Sequence, residues 1–159
     1  MKEIEELGPE YNCLKLENQI CFPVYAASRH IVNRYKPMLD ELDLTYTQYI
    51  TLLVLWHNDG MSVKELGNKL FLDSGTLTPV LNNLESKKLV RRKRSREDER
   101  SVNIVLTEKG RTLKDKALDI PAEISGFVNL TPIEASQLYK LLYKVLGGRT
   151  LEESKKIKK

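Results

Sequence analysis

The sequence predicts a mainly α-helical fold with a small β-wing. Apolar residues recur at helical spacing through most of the chain, whereas only residues 89–106 alternate as strands do. Two short helical segments run directly into that hairpin, and the order helix, turn, helix, two-stranded hairpin is that of a winged helix-turn-helix. Charge supplies the third observation. Residues 87–100 hold eight Lys and Arg against three Asp and Glu, a local +5 in a chain of net charge +4, so everything else sums to −1. One basic patch on a near-neutral body is an electrostatic footprint for phosphates.

With 159 residues, 41% apolar and 30% charged, the chain has the balance of an ordinary globular protein. We expect one domain over 14–148, preceded by an arm at 1–13 and followed by a basic tail at 149–159. Within it, 45–106 forms the winged helix-turn-helix unit, and about 14–44 and 107–148 form dimerisation helices. The most apolar run, 50–56, is far short of the roughly 20 residues that span a bilayer, so no membrane association is expected. Residues 1–6 carry neither the basic nor the apolar region of a signal peptide, which implies a cytoplasmic chain with reduced cysteines. Cys13 and Cys21 cannot make a zinc site alone, and His30 and His57 lack the spacing to help. Neither a metal nor another cofactor is expected.

Taken in order, Leu16, Ile20, Val24, Ala27, Ile31 and Val32 recur at spacings of three and four, predicting a helix from about 14 to 35 that ends before Pro37. Pro23 should bend or loosen its early turns. Thr45 and Gln48 form a capping box that opens a second helix, closed by Asn58, Asp59 and Gly60. Ser62 and Glu65 form another, with Met61 placed as a hydrophobic staple on Leu66. Asp73 caps a fourth helix whose buried face is Leu77, Val80, Leu81 and Leu84. Leu89, Val90 and the cations after them read as one strand, and 102–106 as its partner. Residues 107 to about 120 return to helix, interrupted by Pro121. Thr131, Pro132 and Glu134 open a last amphipathic helix through Leu138, Leu141, Leu142 and Val145.

The other face of the fourth helix carries Gly75, Thr78, Pro79, Asn82, Asn83 and Ser86. Small, polar, uncharged side chains opposite an apolar stripe can approach base edges in a major groove without repelling phosphates. Beside them, Arg94, Arg96 and Arg100 of the hairpin, with Asp98, complete a candidate surface for double-stranded DNA. The first and last helices have apolar faces that the reading unit does not cover. A homodimer covers them, and a twofold protein reads a palindromic operator through two successive major grooves.

Asp98-x-Arg100-Ser101, four residues, then Leu106-Thr107-x-x-Gly110 resembles the signature of the MarR family of winged helix-turn-helix regulators. Leu16-Glu17-Asn18-Gln19-Ile20-Cys21-Phe22, Tyr25-Ala26-Ala27-Ser28-Arg29, Tyr35-Lys36-Pro37, Tyr46-x-Gln48-Tyr49 and the stretch 72–79 are similar to its organic hydroperoxide resistance regulator (OhrR) subgroup, across roughly 14–146. The resemblance implies a dimeric repressor in which Cys21 senses organic hydroperoxide. It further implies that Tyr35 and Tyr46 of the partner subunit hydrogen-bond the reactive sulfur, that Arg100 enters the minor groove braced by Asp98, and that Ser74, Thr76 and their neighbours touch the bases. No cysteine follows Cys21, so the chain resembles the one-cysteine type, whose oxidised sulfur is trapped by a low-molecular-weight thiol. Pro23 and the additional Cys13 depart from the subgroup's pattern.

A thiolate near a helix N-terminus is stabilised, and with it the form that attacks peroxide. Tyr25, four residues on, shares the helical face of Cys21. Tyr35 shares it too but lies roughly 21 Å along the axis, so it can meet a sulfur only on another subunit. As a resolving thiol, Cys13 is separated from Cys21 by about 12 Å of helix, too far for a disulfide unless the arm folds back or crosses the dimer. An enzyme is not expected: a catalytic cysteine needs a base, and His30 falls on the opposite helical face. The alternative is a MarR-like repressor relieved by a small phenolic or lipophilic ligand, without cysteine chemistry.

Overall fold

The computed structural model describes residues 9–94 and 102–147. Two 3-10 segments, Pro9–Leu14 and Leu16–Asn18, lead into α1 (Cys21–Glu41). There follow α2 (Tyr46–His57), β1 (Met61–Ser62), α3 (Val63–Leu70), α4 (Ser74–Ser86), β2 (Val90–Arg94), β3 (Val102–Leu106), α5 (Glu108–Lys116), α6 (Ile120–Phe127) and α7 (Pro132–Val145).

Capping chemistry sets the helix starts. Thr45, Ser62 and Thr131 each accept from the backbone N–H three residues on, and the Gln48, Glu65 and Glu134 side chains return the bond. Asp73 accepts from the Thr76 N–H and Thr107 from the Gly110 N–H. Three helix ends close in the same way, that of α3 with Leu72 N–H donating to the Gly67 carbonyl and Phe71 at φ 54°. Leu44 N–H donates back to the Leu39 carbonyl with Asp43 at φ 53°, and Leu89 N–H to the Leu84 carbonyl with Lys88 at φ 60°. These are Schellman closures made without glycine at the positive-φ position.

Leu52, Leu55, Leu66, Leu77, Leu81, Leu84 and Ile104 are sealed from solvent, so α2, α3, α4 and the sheet share one core, which Ala117, Ile120 and Ile124 extend. The sheet is antiparallel in the order β1-β3-β2, with Val90 opposite Leu106 and Arg94 opposite Val102. Trp56 donates from Nε1 to the Gly110 carbonyl at 2.8 Å and pins α2 to α5. Asp59 closes the same corner, accepting from the Leu106 and Gly60 N–H groups and pairing with Arg111.

Three elements differ from the sequence expectation. The first helix begins at Cys21 rather than near 14, because the preceding turns are 3-10, whose threefold spacing repeats apolar residues much as an α-helix does. It also runs through Pro37 to Glu41, where burial of Leu39 and the closure onto Leu44 fix its end. Pro23 falls in the first turn of α1, where backbone N–H groups have no intrahelical partner, so it has no bond to break there. β1, paired with β3 through Met61–Ile104 and Ser62–Asn103, is an unforeseen third strand. The helix expected over 107–120 divides ahead of Pro121, at residues 117–119, into α5 and α6.

Candidate nucleic-acid interface and sensor cysteine

α4 is fastened by its apolar stripe, Leu77, Leu81 and Leu84, which leaves Ser74, Thr76, Thr78, Pro79, Asn82 and Asn83 exposed. Several of these side chains are already bonded. Asp73 accepts from both the backbone N–H and the hydroxyl of Thr76, and these bonds hold its carboxyl below the usual carboxylate range. Thr78 donates to the Ser74 carbonyl at 2.6 Å, and Asn83 donates to the Pro79 carbonyl at 3.0 Å. On the adjoining strand, Arg91, Arg92, Lys93 and Arg94 are exposed along β2. Arg96, Asp98 and Arg100 lie outside the described residues.

Sequence reasoning missed the joint between these two elements. Arg92 pairs with Glu85 of α4 and donates from Nη2 to Asn82 Oδ1 at 2.7 Å, while its backbone N–H donates to Glu85 Oε1 at 3.1 Å. The i to i+7 and i to i+10 separations across a helix end and a turn carry no periodic signal.

Cys21 is the first residue of α1 and is exposed. No side chain caps that helix; Phe22 N–H donates to the Gln19 carbonyl at 3.1 Å and Pro23 has no N–H, so what the first turn offers the sulfur is the positive end of the helix dipole. Its neighbours along the chain, Ile20, Phe22, Val24 and Tyr25, are exposed apolar residues, Ile20 at 78%. Arg29 donates to the Tyr25 hydroxyl at 3.2 Å and lies 5.6 Å from its ring centroid. Cys13 is exposed in the first 3-10 segment, where its thiol points to the Glu10 carbonyl at 3.7 Å. His30 packs on Phe127 of α6, 5.0 Å between centroids.

Tyr35 and Tyr46 meet within one chain. Their centroids are 5.0 Å apart, edge to face, and Tyr49 joins 5.9 Å from Tyr35. Burial pushes all three phenols up, with further contributions from Tyr49 on Tyr35, Tyr35 on Tyr46 and Tyr46 on Tyr49. They are therefore neutral O–H donors at physiological pH. Tyr49, three residues from Tyr46, was readable at helical spacing as part of this cluster. Between the cluster and α4 stands Lys87, which pairs with Asp43 at 3.1 Å and donates to Gln48 Oε1 at 3.4 Å. Gln48 is buried on α2, one residue from Tyr49. Among the described residues, no group of three His, Cys, Asp or Glu side chains is arranged to hold a metal ion. No helix among them is long and apolar enough to cross a membrane.

Residues 33–117 match the family described as transcriptional regulator SarA/Rot. The chain is 50% identical over 137 residues to the organic hydroperoxide resistance transcriptional regulator of Bacillus subtilis, covering 86% of this chain and 93% of that protein. It is 42% identical over 123 residues to the regulator SarZ of Staphylococcus aureus, covering 77% and 83%. The structure of reduced AbfR, a Staphylococcus epidermidis protein, bound to DNA superposes with a TM-score of 0.71 at 32% identity, over 87% of this chain and 96% of that one. A polar recognition helix locked to a basic strand, and a cysteine opening the first long helix of a chain with these relatives, place it in the MarR family of winged helix-turn-helix transcriptional regulators, among the organic hydroperoxide resistance regulators.

Proposed function

We propose that the protein is a dimeric, cytoplasmic repressor that binds a palindromic operator and releases it when organic hydroperoxide oxidises Cys21. The observation that carries this reading is the position of Cys21, exposed at the uncapped first turn of α1 among exposed apolar residues of the same chain segment. That surface favours a hydroperoxide with an organic tail over hydrogen peroxide.

Chemically, the Cys21 sulfur attacks the terminal peroxide oxygen. The thiol and ROOH become sulfenic acid and ROH, so the sulfur is oxidised by two electrons and the O–O bond is cleaved. A low-molecular-weight thiol then displaces hydroxide from the sulfenic sulfur, giving a mixed disulfide and water. Tyr35 and Tyr46 of the partner subunit donate to the reduced sulfur and lose that acceptor when the bulky adduct forms. Their movement passes along α2 through Gln48 and Lys87 to the end of α4, and the half-site spacing changes. Ser74, Thr76, Thr78, Pro79, Asn82 and Asn83 read the major groove. Arg94 and Arg96 contact phosphates, and Arg100, oriented by Asp98, enters the minor groove.

Fluorescence anisotropy of wild type and Cys21→Ser on operator DNA at fixed salt tests this. Addition of an organic hydroperoxide with a small thiol should release wild type and leave Cys21→Ser bound. Release of both at the same dose removes Cys21 from the mechanism, and retention of both turns the search to a non-oxidising ligand.

A further inference from the structure

We infer that Arg92 is a specificity-positioning residue: it fixes the side-chain amide of Asn82 so that only its N–H donors face the DNA, and Asn82 therefore reads an acceptor edge rather than adenine. This rests on the DNA-binding reading above and adds to it which chemistry one reading position selects.

A guanidinium has donors and no acceptor, so the amide atom 2.7 Å from Arg92 Nη2 must be the Asn82 oxygen. The usual ambiguity of amide orientation is thereby removed. Glu85 accepts from the other guanidinium nitrogen and neutralises the charge, which leaves Arg92 poorly suited to hold a phosphate. It acts as a strut from β2 to α4. Oδ1 keeps a second lone pair, but the guanidinium fixes the amide and sets its own N–H groups beside that oxygen, which disfavours a further donor such as adenine N6–H and leaves Nδ2 as the amide atom for a base. Bidentate recognition of adenine needs both amide atoms, an oxygen for N6–H and a nitrogen for N7. The remaining donors instead suit guanine O6 and N7 or thymine O4. Its neighbour is fixed in the opposite sense: Asn83 spends one Nδ2 hydrogen on the Pro79 carbonyl, which holds the nitrogen against the helix backbone and favours its oxygen as the atom for a base. Two adjacent asparagines thus offer opposite polarities, which their identical side chains do not reveal.

The test selects duplexes from a randomised pool with full-length wild type, Asn82→Ala and Arg92→Met. We then measure affinity for the selected duplex with each adenine replaced by purine, which lacks the N6 amino group. Asn82→Ala should erase the preference at one base pair per half-site. Purine substitution there should cost wild type less than about twofold. Arg92→Met frees the amide to rotate and should cut discrimination at that pair by about fivefold or more, with the salt dependence of binding unchanged.

A purine substitution that weakens wild type about tenfold but leaves Asn82→Ala unaffected would establish adenine recognition and overturn the assignment. So would a salt slope lowered by about one in Arg92→Met, which marks a phosphate contact, or a wild-type preference that survives Asn82→Ala. Asn82→Ala alters an exposed side chain, so its arm decides the matter even if Arg92→Met does not fold. Failure of wild type to enrich any sequence would instead overturn the DNA-binding reading and this inference with it.

Discussion

Gly110 shows how one residue carries a constraint that its conformation does not announce. A Cβ built there would stand 2.0 Å from the Leu89 carbonyl oxygen, because α5 starts directly against the chain that leaves α4. Gly110→Ala must push backbone against backbone, and overpacking of this kind costs about 1–3 kcal/mol or more. Urea unfolding should show that loss, and operator affinity should fall with it, since the Gly110 carbonyl also holds Trp56. Asp73 gives a residue-scale effect of opposite visibility. Its carboxyl is held low by bonds that exist only in the folded state, so it contributes stability above its ordinary titration range, and that contribution is lost as pH falls through the lowered folded value. Stability of Asp73→Asn should therefore decline less between neutral and acid pH than that of wild type. Equal acid dependence would count against this role.

At the scale of elements, the capping residues Thr45, Ser62, Asp73 and Thr131 were legible because each bond spans three residues, and all four open helices. Thr45→Ala should cost about 1 kcal/mol in thermal or urea unfolding. What was not legible depended on distant partners. The 3-10 turns before Cys21 imitate helical spacing, and β1 has only two residues, too few to show alternation. Pro37 is accommodated within α1 because tertiary burial of Leu39 outweighs a local breaker. In the candidate site, the exposed row of α4 followed from sequence, whereas the position of Cys21 at the first residue of α1, the Arg92 strut and the Lys87 link require the fold. The tyrosine cluster adds a test of its own. Phenols raised by burial favour the protonated folded state, so their stability contribution is complete below the ordinary tyrosine value near 10 and is lost as pH rises through the higher folded values. Absorbance titration should find these tyrosines ionising late, and Tyr46→Phe should flatten the alkaline loss of stability.

For the whole molecule, the informative fact is what the single chain leaves uncovered. α7 has no buried residue, and Ile133, Leu138, Leu141, Leu142 and Val145 are exposed, Val145 at 83%. At the other end of the chain, Leu14, Leu16, Ile20 and Phe22 are exposed as well. Exposed apolar surface on this scale marks an interaction site, and a second copy is the occupant that the proposed twofold operator requires. Leu142→Glu with Val145→Glu should shift sedimentation from dimer to monomer. The isolated core around Leu52 and Leu84 should stay folded, and operator binding should be lost. A dimer that survives the double change would move the interface elsewhere.

The strand order β1-β3-β2 leaves β2 with a neighbour on one side only. An open strand edge invites another chain to add to it, and a row of cations is one way to repel such a visitor. Arg91, Lys93 and Arg94 meet that need whether or not DNA is present, and Glu85 occupies the edge N–H group of Arg92. Neutralising these three cations would then do more than weaken phosphate contacts: it would leave a sticky ribbon, prone to self-association in the DNA-free protein.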